Sequence, residues 1–310
     1  MTRTEEKKRQ LESAMAQYGK EDICLAFSGG VDSSLLLKAA SDAARENGTK
    51  VYAVTFDSRL HPSCDLEIAS RVAKELGGIH EVITVDELEQ EEIRHNPVNR
   101  CYLCKRHLFQ GLRDFAVQRG VRIILDGTNE DDLHVYRPGI QALKELEIIS
   151  PLAELHMTKA EVKELAAEYG ISVASRPSTP CMATRIPYDT DIDYGVLERI
   201  AQGEACLRAQ IDGNVRLRLH GDIVRIEVDG NAFLRVLEIK DEIIRGLKEL
   251  GFLYITLDLE GFRSGSMDIK IEKYCKSKDR VSAGQSIPAG IHGLIASFFT
   301  NIRSTALPFL

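Results

Sequence analysis

Ala26-Phe27-Ser28-Gly29-Gly30-Val31-Asp32-Ser33-Ser34 joins an apolar run, Ile23 to Phe27, to a helix-period stretch from Leu35 to Ala44. A strand that ends in Ser-Gly-Gly and passes directly into a helix gathers free backbone N–H groups at the helix's positive end. Gly29 and Gly30 have no Cβ to hold an anion away, and Ser28, Ser33 and Ser34 add hydroxyl donors. The stretch reads as a phosphate site, suited to a pyrophosphate held as it departs. It fits neither the Walker pattern, GxxxxGK followed by Ser or Thr, nor the dinucleotide pattern GxGxxG. Without a ligand, the same residues would make a plain serine- and glycine-rich turn. Asp32 reads either as a Mg2+ ligand beside phosphates or as a carboxylate favoured by the helix dipole.

Outward from this loop the first half of the chain alternates. Apolar, β-branched runs at Ile23–Phe27, Lys50–Thr55, His80–Val85 and Arg122–Leu125 are separated by helix-period stretches such as Asp65–Leu76 and Lys105–Arg119. That rhythm predicts an α/β fold with a doubly wound parallel sheet. In such a sheet ligands lie beyond the C-terminal strand ends, where strand order reverses. Ser28, Phe56–Pro62 and Asp126–Asp132 all follow strand ends and are expected to meet in one crevice. Thr158-Lys159-Ala160-Glu161 has capping-box spacing and opens a helix to about Tyr169.

From Pro187 the rhythm becomes helix (Asp191–Gln210), strand (Val215–His220), strand (Asp222–Val228), helix (Asn231–Leu250) and strand (Leu253–Leu257), a smaller C-terminal α+β unit. The expected division is a first domain over 1–175, a Pro-, Ser- and Thr-rich connector over 176–187 carrying Cys181, an α+β domain over 188–268, and a tail over 269–310 without an assigned role. The 310 residues suffice for two domains, and the net charge of −7 (40 Lys and Arg against 47 Asp and Glu) disfavours a nucleic-acid substrate. The polar N-terminus is not a signal peptide, no run is long enough to span a bilayer, and seven scattered cysteines suit a reducing compartment; the expectation is a cytoplasmic protein. A homo-oligomer is compatible with the sequence, which leaves oligomeric state open.

Arg100-Cys101-Tyr102-Leu103-Cys104-Lys105 carries CxxC, and Pro180-Cys181 adds a third thiol in the connector. CxxC sets two thiolates about one helical turn apart, the bite for one metal ion or for adjacent irons. A redox pair and two buried thiols are the alternatives. A closed zinc site needs a fourth ligand; His95 and His107 are near in sequence, but a second CxxC is absent. Three cysteines suit a cluster with one iron open. Cys24, in a strand pattern, reads as core.

SGGVDSS resembles the pyrophosphatase loop of the PP-loop family, ATP-dependent adenylating enzymes. The resemblance narrows with LDGTNEDD (Leu125–Asp132), YRPG (Tyr136–Gly139), the Pro-Cys-x-x-x-Arg-x-Pro-Tyr of Pro180–Tyr188, VRLRLHGDIVRIE (Val215–Glu227) and TLDLEGFRSGSM (Thr256–Met267). Together these are similar to the LarE-type sulfur transferases of nickel-pincer nucleotide cofactor biosynthesis, over roughly residues 5–268. The resemblance implies that ATP adenylates a carboxylate of a pyridinium dicarboxylate mononucleotide and that sulfur then displaces AMP, leaving a thiocarboxylate. It implies ATP and Mg2+ at the loop residues Ser28, Gly29, Gly30, Asp32, Ser33 and Ser34, with Asp32 and Cys181 catalytic; Asp126, Thr128 and Asn129 follow a strand end and read either as ATP or Mg2+ contacts or as an Asx turn. Members with three cysteines are understood to hold a 4Fe-4S cluster, here on Cys101, Cys104 and Cys181. Members with one cysteine give up its sulfur instead. The sulfur donor is not implied.

Val215-Arg216-Leu217-Arg218-Leu219 alternates strictly, so Arg216 and Arg218 share one strand face. Pattern alone reads that face as solvated, opposite Arg225 and Glu227; the resemblance assigns both arginines to the nucleotide phosphate. Arg185, four residues after Cys181, joins them as a substrate residue, with Glu204, Thr184 and Arg263 as weaker candidates. Three other readings stay open: a tRNA thiolation enzyme with a 4Fe-4S cluster, an amide-forming PP-loop ligase, and a non-enzymatic nucleotide sensor with a zinc clip.

Overall fold

The computed structural model describes residues 3–61, 64–135, 137–177 and 179–269. The chain separates into two units, Met1–Gly261 and Phe262–Leu310; most of the second, residues 270–310, lies outside the described residues, as does nearly all of the expected tail. The first unit begins α1 (Arg3–Tyr18), β1 (Ile23–Ala26), α2 (Val31–Asn47), β2 (Val51–Ser58), α3 (Cys64–Leu76) and β3 (Ile79–Val85). It continues α4 (Glu91–Arg94), α5 (Arg100–Gln118), β4 (Ile123–Leu125), α6 (Glu130–Leu133), α7 (Gly139–Glu145), α8 (Pro151–Glu154) and α9 (Lys159–Glu168). After the connector come α10 (Tyr194–Arg208), β5 (Val215–His220), β6 (Ile223–Val228), α11 (Phe233–Glu238), α12 (Lys240–Glu249) and β7 (Tyr254–Leu257).

β1 to β4 form the expected parallel sheet, in the order β3-β2-β1-β4. Its central strands read as apolar runs because both faces are covered. Ile23 and Leu25 pack with Leu35, Leu36, Val162 and Leu165 on one face, while Cys24 packs with Leu108, Leu112 and Ala116 on the other. Burial pushes the Cys24 thiol up to about 12, as suits a core position. The chain runs outward from β1 through β2 to β3, then returns to place β4 on β1's other side. Strand order therefore reverses at β1, and the loop after β1 occupies the switch point.

A second sheet, β5-β6-β7, combines an antiparallel hairpin with a parallel edge strand. Two helices depart from the sequence reading by more than a few residues. The single helix expected over Asn231–Leu250 is a 3-10 turn followed by α11 and α12, broken at Ile239 (φ −101°, ψ 17°), whose side chain turns into the core. The helix expected from Lys105 begins at Arg100, which brings CxxC inside its first turns. No helix among the described residues is long and apolar enough to cross a membrane.

Candidate active site

The loop between β1 and α2 turns at Gly29, where φ is +67°. A Cβ there would lie 2.8 Å from Cα of Ala69 in α3, so only glycine fits. Gly30 caps α2 in extended conformation without a side-chain cap, which leaves the helix's first N–H groups available to an anion. Ser28 Oγ accepts from Gly30 N at 3.3 Å and lies 3.2 Å from Ser33 Oγ. Ser34 is fully buried, and its hydroxyl has no partner among the described residues. After β4, the chain comes so close that a Cβ on Gly127 would stand 3.0 Å from Ser33 N.

These segments enclose a cavity of about 340 Å³. Ser28, Asp32, Ser33, Asp126 and Thr128 line it on the polar side, Phe27, Phe56 and Phe109 on the apolar side. The three strand-end segments expected to converge do so, with Asp57, Ser58 and His61 contributed by the segment after Phe56. Gly29, Gly30 and Ser34 shape the loop and the base of its helix without appearing in the cavity wall. Asp126 is 4% exposed and already well occupied: Thr128 donates from Oγ1 at 2.7 Å, Ser150 from its hydroxyl, and Lys105 Nζ lies at 3.4 Å.

Asp32 is held from two directions. Asn129 Nδ2 donates to one carboxylate oxygen at 3.1 Å, and Lys159 Nζ pairs with the other. Sequence reasoning passed over Lys159, treating its segment only as a helix start. The Thr158 capping box is present, Thr158 N donating to Glu161 Oε2 at 2.8 Å, and it places Lys159 at the first position of α9.

The cysteine centre adjoins this cavity. Lys105 and Thr179 line the cavity, one residue from Cys104 and two from Cys181. The connector is tied down by Met182 N donating to Leu60 O at 2.8 Å, and Cys104 and Cys181 pack against the same apolar cluster as Leu60 and Met182. Cys101 is exposed, and Cys104 and Cys181 are half-buried. Burial raises the Cys104 thiol well above its ordinary range and also raises Cys181, which the Arg100 guanidinium partly offsets. Among the described residues, no group of three His, Cys, Asp or Glu side chains stands at metal-holding distances. The three thiols lie near one another without being a preformed chelate.

The predicted arginines come together, but not on a solvated face. Arg185, Arg216 and Arg218 are 1%, 8% and 5% exposed. Arg185 makes a two-pronged pair with Glu204 (2.8 and 3.0 Å) and donates to Pro180 O at 3.2 Å. Arg218 donates to Glu227 at 3.0 Å and to Thr184 O at 2.9 Å. Burial, and then the neighbouring Arg185, push the Arg216 guanidinium down to about 10. Cations crowded so that one loses basicity mark a place for an anion. Glu204 is fully buried and committed to protein partners: Arg185, Arg208 and Leu217 N at 3.0 Å. Burial works to raise its carboxyl, but Arg185 outweighs that and holds it below the usual carboxylate value.

A phosphate-cradling loop at a sheet's switch point, backed by a positioned carboxylate, defines a PP-loop nucleotide site. The family model for the PP-loop domain matches residues 3–178, more than half of the chain, and the chain belongs to that family. It is 35% identical over 252 residues, 81% of this chain and 90% of the relative, to pyridinium-3,5-bisthiocarboxylic acid mononucleotide synthase of Lactiplantibacillus plantarum, which places it with the LarE type. It is also 37% identical over 266 residues to the uncharacterized protein slr1717 of Synechocystis sp., covering 85% of this chain and 98% of that one. A third relative, the uncharacterized protein MJ0830 of Methanocaldococcus jannaschii, is 30% identical over 248 residues, covering 80% and 93%.

Proposed function

We propose that this chain is an ATP-dependent sulfur transferase of nickel-pincer cofactor biosynthesis, making a thiocarboxylate on a pyridinium dicarboxylate mononucleotide. One observation carries the reading beyond nucleotide binding: Lys105 and Thr179 belong to the wall of the nucleotide cavity and immediately neighbour two of the three thiols. An amide-forming ligase needs no thiols beside its ATP site.

A carboxylate oxygen of the substrate attacks the α-phosphorus of ATP, and pyrophosphate leaves. The loop over Ser28–Ser34 stabilises the charge growing on pyrophosphate by aimed N–H and hydroxyl groups, an electrostatic role without proton transfer. Asp32 and Asp126, with Thr128, are assigned to Mg2+ and the phosphates, and Asp32 must exchange its Lys159 contact when Mg2+ arrives. The acyl carbon then takes a sulfur nucleophile, and AMP departs with the electron pair of the broken C–O bond. Arg185, Arg216 and Arg218 are assigned to the substrate's phosphate. The division of labour follows the sequence boundaries: adenylation over 1–175, sulfur delivery over 176–187, and substrate binding over 188–268.

Three sulfur donors beside a buried cation fit a thiolate-held 4Fe-4S cluster, with Cys101, Cys104 and Cys181 as its ligands. When bound, such a cluster would supply iron able to present an exogenous sulfur nucleophile. In a second reading Cys181, two residues from Thr179 of the cavity wall, itself surrenders its sulfur once and becomes dehydroalanine. Protein purified without oxygen, assayed for iron, sulfide and zinc, and incubated with ATP and the dicarboxylate mononucleotide, separates these readings. About four irons per chain, lost in Cys101→Ala, with repeated turnover to AMP, pyrophosphate and thiocarboxylate, is the expected result. Hydrolysis of ATP to AMP without sulfur in the product would overturn the function.

A further inference from the structure

Arg100 is 2% exposed, at the first position of the 19-residue helix α5. A cation there is placed against the helix dipole, whose first turn ordinarily collects acidic groups. The first turn of α5 holds none. Among the described residues Arg100 pairs with no carboxylate; its guanidinium donates to Asn96 Oδ1 and lies 3.4 Å from Cys101 Sγ, with the Tyr188 ring 6.0 Å away. Asn96 is itself fixed: buried, at φ +49°, with Nδ2 donating to Pro187 O at 2.7 Å. A fully buried cation without an anionic partner is costly, and the Asn96 clamp shows the side chain is held in place. What faces it is sulfur. Among the described residues, the buried carboxyl of Glu87 accepts from Ser58 Oγ through one oxygen, has no partner for the other, and makes no pair with Arg100.

We propose that Arg100, buried, clamped by Asn96 and 3.4 Å from Cys101 Sγ, is the fixed counter-ion of the cysteine centre, a positioning residue for an anionic assembly held by Cys101, Cys104 and Cys181. The inference rests on the reading that these three cysteines act as one centre. Its consequence is selective: a buried cation fixed beside Cys101 Sγ favours a group that brings negative charge to this centre.

The test uses the full chain, as wild type, Arg100→Lys, Arg100→Met and Arg100→Gln, with thermal melting to select variants that fold. Each is incubated anaerobically with ferrous iron and sulfide, then read for iron content and reduction potential. Wild type and Arg100→Lys should load about four irons. Arg100→Met or Arg100→Gln should load less than half as much, and the cluster that forms should be reduced at a more negative potential, because a nearby positive charge favours the electron. Equal loading and equal potential in a folded neutral variant overturn the proposal. If no chain loads iron, the cluster reading fails by itself, and alkylation of Cys181 by iodoacetamide, followed by peptide mass spectrometry, decides for Arg100. A rate about tenfold slower in the neutral variant than in Arg100→Lys supports it; equal rates overturn it.

Discussion

Lys159, at the start of α9, pairs its ammonium with the carboxylate of Asp32, 127 residues earlier in the loop that cradles phosphate. The pair stands at the start of α2, whose first N–H groups have no side-chain cap, and so lies beside the phosphate loop. Asp32 keeps the Lys159 charge near the site while no nucleotide is bound.

Lys159→Ala is expected to slow ATP-dependent pyrophosphate release by about 100-fold or more, as removal of one preorganised electrostatic group does. Asp32→Ala should abolish release. The Lys159 side chain is 33% exposed, so its variant should lose no more than about 1 kcal/mol of stability. Pyrophosphate assays beside thermal melts check both; unchanged release would remove the pair from the mechanism.

Arg216→Ala combined with Arg218→Ala should weaken mononucleotide binding by about 100-fold or more while leaving ATP binding within a factor of about two. Calorimetric titration of each ligand reads the split, and equal losses would make the arginines structural. With the Arg216 guanidinium at about 10, mononucleotide affinity should fall as pH rises through that value, because the anion-binding form is the protonated one.

Glu204→Gln should destabilise the chain by about 3–5 kcal/mol, since it leaves Arg185 buried without its two-pronged partner. The Glu204 carboxyl is held below its ordinary value in the folded state. Its stabilisation is therefore complete above the unfolded carboxylate pKa and is lost as pH falls through the lower folded one. Denaturant melts from pH 7 to pH 3 should show a steeper acid loss in wild type than in Glu204→Gln.

Gly29→Ala forces a Cβ against the backbone of Ala69 at a φ that side chains rarely adopt. A loss of about 1–3 kcal/mol in stability is expected, together with loss of ATP binding. Retained affinity for ATP would show that the turn is not part of the phosphate cradle.

Much of the fold was legible because its signals are local. The Ser-Gly-Gly turn, the period-two and period-3.6 patterns, and the Thr158 capping box each depend on residues within a few positions, and β1 to β4, α2 and α9 follow them. The kink at Ile239 was not legible, because burial of one side chain broke a helix whose own pattern was continuous. The alternation of Arg216 and Arg218 put them correctly on one face, but only packing made that face buried, with Glu227 across the hairpin and Thr184 from the connector.

By itself, then, the sequence determined the glycine turn of the loop, the parallel sheet, the CxxC spacing and the shared face of Arg216 and Arg218, because spacing along a strand or helix sets which groups share a face. Tertiary structure alone decided which distant charges meet: Lys159 with Asp32 and Arg185 with Glu204. Such pairings depend on how separate segments pack. The energy of a buried charge is fixed by the partner that packing brings to it, and no local pattern records that partner.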